Sequence, residues 1–434
     1  MATEYVKCCG LNIKKVSFTE LFFNKTMIIA YILLAIGLIG WYEIYHLRFF
    51  HDFVNTRDII NAGGAASDHA KMLAETIKDQ IFNLKEIEEV NRNEPWGIFV
   101  VQYTYLLYGG SAIIFLVALA ELFHVKIAPK VAAALLTFGI AMDLGGMTSI
   151  ASDWGNPLHI YWMIFNPQPH SGMWMMLPLY SIYIPFTFLE IYFLITYKKD
   201  LARKLALVLV ILGIFIDIAE YYIQGILFNL NVPRHLWTNI PALWIYFLIS
   251  GAITGISGAI LFAFLGLRNK PYFEDMIKNA SRMGIVLTIL AAIYEVINYM
   301  TVDPKWLHLI LSGSPISWMY WTWIILGIVV PLILWLTQKP VPSLIAAISA
   351  LIGTFFMRQA FIYGGNIVPM TNRFGTGPEA TSTYQLDALK PYVYIPPHTM
   401  EILIIIGCVG LGIAIYSILD SLFDVRNIND NADH

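Results

Sequence analysis

Charge is what this chain most lacks. Of its 434 residues only 13% are Asp, Glu, Lys or Arg, while 58% are hydrophobic. An ordinary soluble protein carries about twice that share of charge. So few ionised side chains cannot wet the surface of a soluble fold of this length, and a mean hydropathy of +0.64 agrees. Disorder needs the opposite composition. A net charge of −3 offers no basic face to nucleic acid.

Cysteine is nearly missing too. Cys8, Cys9 and Cys408 are the three, with no CxxC or CxxCH spacing. That rules out an iron–sulfur cluster held on thiolates, a c-type haem and a disulfide scaffold. The ten histidines are His46, His51, His69, His124, His159, His170, His235, His308, His398 and His434, all at span ends or in loops. A b-type haem between helices needs axial His inside the spans, so none is expected. There is no P-loop, no HExxH and no metal-ligand cluster. No signal-peptide cleavage pattern opens the chain, so residues 1–25 read as a retained tail.

What is present is a series of apolar stretches, each about 20 residues or longer, the length a spanning helix needs. Ten can be read: 27–47, 96–123, 131–153, 173–197, 205–229, 240–267, 282–301, 315–337, 341–362 and 399–420. None alternates as a barrel strand would. The expected fold is an all-α polytopic membrane protein. Lys and Arg concentrate in alternate connections: Lys126 and Lys130; Lys198, Lys199, Arg203 and Lys204; Arg268, Lys270, Lys278 and Arg282; Lys339. The positive-inside rule then places both termini in the cytoplasm and the long connections 48–95 and 363–398 outside. A polar helical stretch at 66–90 reads as a solvated cap or a docking surface. The 363–398 connection, rich in Gly, Pro, Thr and Tyr, reads as an ordered lid or interface.

Six ionisable residues fall within or near the spans: Asp143, Glu190, Asp217, Glu220, Glu295 and Arg358. Each is costly in hydrocarbon unless paired or hydrated. Singly, they read as interhelical ion pairs. As a set, they point to a proton or cation path, or to a polar ligand site.

Two spans resemble each other. Aligning Tyr105 with Tyr246 places Gly110 on Gly251, and the following spans carry a late Asp143 and a late Glu295. Spans 2–5 and 6–9 therefore read as two copies of a four-helix unit in parallel orientation, with the first and last spans peripheral. This divides the chain into 1–95, 96–229, 240–362 and 363–434.

Trp96-Gly97-Ile98 followed by Tyr103 and Gly109-Gly110 resembles the opening helix of the NrfD/polysulfide reductase membrane-subunit family. Asp153-Trp154-Gly155-Asn156-Pro157-Leu158-His159, then Asn166-Pro167 and Ser171-Gly172-Met173, resembles the loop that joins that family's second and third core helices. His159 stands where the family usually has Arg. The extra first and last spans resemble its ten-helix branch, which includes the alternative complex III membrane subunits.

The resemblance implies a cofactor-free subunit in a prokaryotic cell membrane. It would exchange electrons between quinone, menaquinone-type or other, and an extracytoplasmic, ferredoxin-like iron–sulfur partner. That partner would serve a molybdopterin catalytic subunit or a multihaem cytochrome. Quinone chemistry moves two protons, which suits carboxylates and His. The expected catalytic residues are Asp153, His159 and Asp143. The expected head-group contacts are Tyr103, Gln102, His170, Ser171 and Trp96. Glu190, Asp217, Glu220, Glu295 and Arg358 are the expected proton path. Plainer roles stand beside these: a turn or cap for Asp153, an interfacial His for His159, and packing for Tyr103 and Gln102. A secondary transporter and a structural anchor are the rival functions. Pro178, Pro185 and Pro331 do not fall at matched positions of the two units, as broken transporter helices would.

Overall fold

The computed structural model describes residues 5–8, 11–46, 96–153, 161–196, 198–229, 237, 243–302, 307–367 and 396–428. The stretch 66–90, most of the 363–398 connection and His159 lie outside the described residues, as do the side chains of Asp217 and Glu220.

The chain opens on a feature that its composition does not announce, an antiparallel hairpin of β1 (Tyr5–Cys8) and β2 (Leu11–Lys14). The rest is helical. The elements are α1 (Phe18–Phe22), α2 (Lys25–His46), α3 (Ile98–Leu122), α4 (Ala128–Asp153), α5 (Tyr161–Phe165), α6 (Gly172–Ile195), α7 (Lys199–Asn229), α8 (Leu243–Gly266) and α9 (Phe273–Thr301). A π turn at Leu309–Gly313 precedes the rod α10 (Ile316–Trp335), and α11 (Pro340–Ile367) and α12 (Thr399–Phe423) follow. In hydrocarbon every backbone N–H and C=O must be satisfied within the segment, which is why these runs are helices.

Among the described residues nine helices are long and apolar enough to cross a membrane: α2, α3, α4, α6, α8, α9, α10, α11 and α12. The tenth expected span, 205–229, lies within α7, a helix of 31 residues. The chain is a multi-pass membrane protein. α9 begins nine residues before the expected start of its span, because Glu274 and Asp275 in its first turn favour a helix N-terminus.

Contacts sort the helix ends into two faces. At the basic end, the Tyr272 hydroxyl donates to the Lys130 carbonyl, Lys270 Nζ donates to Asn427, and Arg426 pairs with Asp420 at 2.6 Å. At the far end, Asn366 donates to the Trp96 carbonyl at 2.9 Å, Gln102 to the Ile405 carbonyl at 2.8 Å, and the Trp41 indole to Ser152 at 2.9 Å.

Lipid supplies no hydrophobic force between helices, so close backbone contact has to hold them together. Small residues provide it. α3 and α8, the two helices aligned in the repeat, cross where a Cβ on Gly255 would meet the Gly109 carbonyl at 2.8 Å and one on Gly251 would meet Tyr108 Cβ at 2.9 Å. α2 and α12 run antiparallel through Gly37 and Gly407, whose backbones leave no room for a side chain between them. Asn24 fixes that pair at its basic end, accepting from the Met27 N–H at 2.9 Å and from Ser417 Oγ at 3.1 Å. α12 in turn packs on α4, where a Cβ on Gly412 would meet the Ala141 carbonyl at 2.7 Å. The two peripheral helices are thus one pair, docked on the first bundle.

Candidate functional site

Glu295 has the most developed polar surroundings in the described protein. It lies on α9, six residues before its far-end terminus at Thr301, and is 3% exposed. Its Oε1 accepts from the Tyr246 hydroxyl of α8 at 2.8 Å and from the Trp323 indole at 2.6 Å. Its Oε2 accepts from the Tyr320 hydroxyl at 2.9 Å. Three donors from two neighbouring helices thus satisfy one buried carboxylate.

Local backbone geometry places those donors. α10 is α-helical over Ile316–Thr322, then π-helical over Trp323–Val329. Such turns are rare and recur at functional sites. Trp323 opens the π stretch and lays its ring over Gly327, where no larger residue fits. Gly353 of α11 presses on the same Gly327 backbone. Tyr246 stacks on Tyr294 with ring centroids 4.9 Å apart. Beside this cluster is a cavity of about 50 Å³ lined by Tyr246, Asn298, Tyr320 and the apolar Ile316, Met357 and Phe361.

Arg358 lies nearby on α11, 1% exposed. Its guanidinium is 4.7 Å from the Phe247 ring centroid and 5.0 Å from that of Tyr108, and Nη2 donates to the Phe247 carbonyl at 3.2 Å. Desolvated cation–π contacts of this kind contribute about 2 kcal/mol. Arg358 therefore sits between α3 and α8, next to the Tyr246 that serves Glu295.

The residues expected in the first bundle are more dispersed. Asp143, 1% exposed, presses its carboxylate on α3 at Gly110, so that no side chain fits there. Each of these carboxylates thus meets the long helix before its own, Asp143 at a glycine and Glu295 at a tyrosine. Asp153 ends α4, half-buried, one residue after the Ser152 that binds Trp41. Tyr103 is buried, and its carbonyl faces Gly146. Gln102 is buried with its amide nitrogen on Ile405, while its Oε1 has no hydrogen-bond partner among the described residues. Ser171 caps α6, accepting from the Trp174 N–H at 3.4 Å, and His170 beside it is exposed. Trp96 packs on Phe228 and Trp237, with centroids 4.8 and 5.4 Å away. Glu190 is fully buried on α6, with neither carboxylate oxygen hydrogen-bonded among the described residues. Asp217 and Glu220 lie on α7.

Reading along the sequence missed Tyr320, Trp323 and Asn298, since aromatic and amide residues in apolar spans carry no signal of their own. It also missed Glu121, which sits at the end of α3 and is 8% exposed.

The family model described as polysulphide reductase, NrfD, matches residues 85–370, about two-thirds of the chain, from before α3 to past α11. The chain belongs to the NrfD family. NrfD proteins are membrane subunits of respiratory redox complexes and normally pair with iron–sulfur and molybdopterin subunits. A search of the curated proteins finds no match. The NrfD region includes both carboxylate–helix contacts, the Glu295 cluster and Arg358. It leaves out the α2–α12 pair.

Proposed function

We propose that this NrfD chain is the quinone-reactive membrane subunit of a respiratory oxidoreductase. It exchanges electrons between the membrane quinone pool and an extracytoplasmic iron–sulfur subunit, which is joined to a molybdopterin enzyme or a multihaem cytochrome. The family match across 85–370 carries this reading. The residue inventory agrees: three cysteines without metal-site spacing and no mid-span histidine leave the redox centres to a partner.

The quinone head is assigned to the far end of the first bundle, the end that the Lys and Arg distribution places outside, near a partner's cluster. Quinone is an exchangeable substrate in this reading. Gln102 Oε1, buried and without a partner, is an acceptor suited to a quinol O–H. Tyr103, Trp96, His170 and Ser171 line the same end. Oxidation of a quinol releases two electrons and two protons. Asp153 at the mouth of α4 and Asp143 deeper on the same helix are placed to take protons in turn, with His159 next along the chain. Glu190, buried towards the basic end of α6, continues that route, and Asp217 and Glu220 are assigned to it by their positions in the sequence.

Purification of the native complex tests the reading. Bound quinone together with an iron–sulfur partner supports it. A partner without quinone makes the chain an anchor, and the absence of both supports a transporter.

A further inference from the structure

The cavity beside Glu295 lies in the second bundle, apart from the far-end residues assigned to quinone. Its polar lining is incomplete in one specific way. Asn298 is 8% exposed, and its Oδ1 has no hydrogen-bond partner among the described residues. A buried amide oxygen left unsatisfied costs about 1–3 kcal/mol. The missing partner is an O–H or N–H donor, and the cavity is where it would sit.

Size decides what that donor is. A space of about 50 Å³ is enough for water, which needs roughly 10–15 Å³ measured in that way plus two to four polar partners. It is too small for a substituted aromatic ring. Asn298 Oδ1 and the Tyr246 and Tyr320 hydroxyl oxygens are the polar partners. Both hydroxyls already donate to Glu295, so each has lone pairs left for water.

The groups facing Glu295 come from three helices. Tyr246 comes from α8, Asn298 and Tyr294 from α9 itself, and Tyr320 and Trp323 from α10. Tyr299 packs behind Tyr320, with centroids 5.9 Å apart. Arg358 of α11 is a buried cation on a neighbouring helix, and it donates to the carbonyl of Phe247, the residue after Tyr246.

We propose that the cavity is a hydrated proton-exchange site in which water held by Asn298, Tyr246 and Tyr320 delivers a proton to Glu295 and takes it back. In the forward step an O–H bond of a cavity hydronium breaks, an Oε–H bond forms on Glu295, and neutral water remains. The reverse step restores the carboxylate. Six residues of α9 separate the site from the far end of that helix, a short path for protons to that face. This reading does not depend on where quinone binds.

Infrared difference spectroscopy on the full chain in lipid nanodiscs tests it without any electron donor. A change of pH should produce a protonated-carboxyl band that disappears in Glu295→Gln. Transfer to heavy water should shift the band within seconds. Asn298→Leu, which fills the cavity with an apolar group, should keep the band and slow its exchange by about tenfold or more. Should Glu295→Gln fail to assemble, Glu295→Asp should give a displaced but still exchangeable band. A band that exchanges no faster than the buried backbone amides, or no band that responds to either Glu295 variant, overturns the proposal.

Discussion

The Tyr246 hydroxyl donates to Glu295 at 2.8 Å across forty-nine residues of sequence, joining α8 to α9 inside an apolar bundle. In the sequence alignment of the two spans, Tyr246 stands opposite Tyr105, and Glu295 holds the place of Asp143 in the span that follows. In the first unit the tyrosine turns elsewhere, donating to the Leu351 carbonyl of α11 at 3.0 Å. The aligned positions thus differ in their bonding, and the two carboxylates face different surroundings.

Removing one donor from Glu295 should be costly. Tyr246→Phe and Tyr320→Phe should each destabilise the chain by about 2 kcal/mol, the range for hydrogen bonds to a charged group. Because the two share one acceptor, the double variant should cost less or more than their sum by at least about 0.5 kcal/mol. Denaturant unfolding in detergent, with all four members of the cycle, measures this. Strict additivity would mean that Glu295 does not link the two hydroxyls.

Arg358 separates charge from packing. Arg358→Met keeps most of the volume between Tyr108 and Phe247 and removes the cation that lies over both rings. It should cost about 2 kcal/mol, the scale of those desolvated cation–π contacts, while Arg358→Ala should cost roughly 4 kcal/mol because it also leaves a cavity. Equal losses in the two variants would show that the guanidinium itself holds α8 and α11 together.

The helix pair outside the NrfD region should depend on its glycines. Gly37→Leu places a side chain against the Gly407 backbone and should cost about 3 kcal/mol or more, at the upper end of overpacking. A disulfide engineered between α2 and α12 away from this crossing should then form more slowly in membranes. Unchanged cross-linking would mean that the pair tolerates separation.

Much of the architecture was legible in the sequence because bilayer thickness sets span length and lipid forces a helix. All ten expected spans fall in long helices, nine of them meeting the length and hydropathy of a membrane span. The β1–β2 hairpin was not legible, since eight strand residues in a polar tail make no pattern that outweighs the spans. Glu295 and Arg358 stood out because charge in an apolar run is visible by itself. Their partners did not. Tyr320 and Trp323 look like any membrane aromatics until a π turn aims them at one carboxylate, and π turns follow from helix packing around Gly327 and Gly353, not from local propensity.

Asp153 is the first-bundle residue most open to a direct test. Asp153→Asn keeps the size of the side chain and removes its proton affinity. It should lower quinol-linked turnover by about a hundredfold, the usual scale for losing a positioned acid–base group, with the complex still assembled. Full turnover would leave Asp153 only the role of ending α4.

On the proposed function, quinol held by this chain passes its electrons directly to a partner's iron–sulfur centre. Electron paramagnetic resonance of the purified, oxidised complex in nanodiscs, recorded before and after mixing with a soluble quinol, measures that transfer. A reduced iron–sulfur signal should appear on mixing and be strongly slowed by Asp153→Asn. A signal that never appears in the intact complex, although dithionite produces it, would contradict transfer from quinol to that centre.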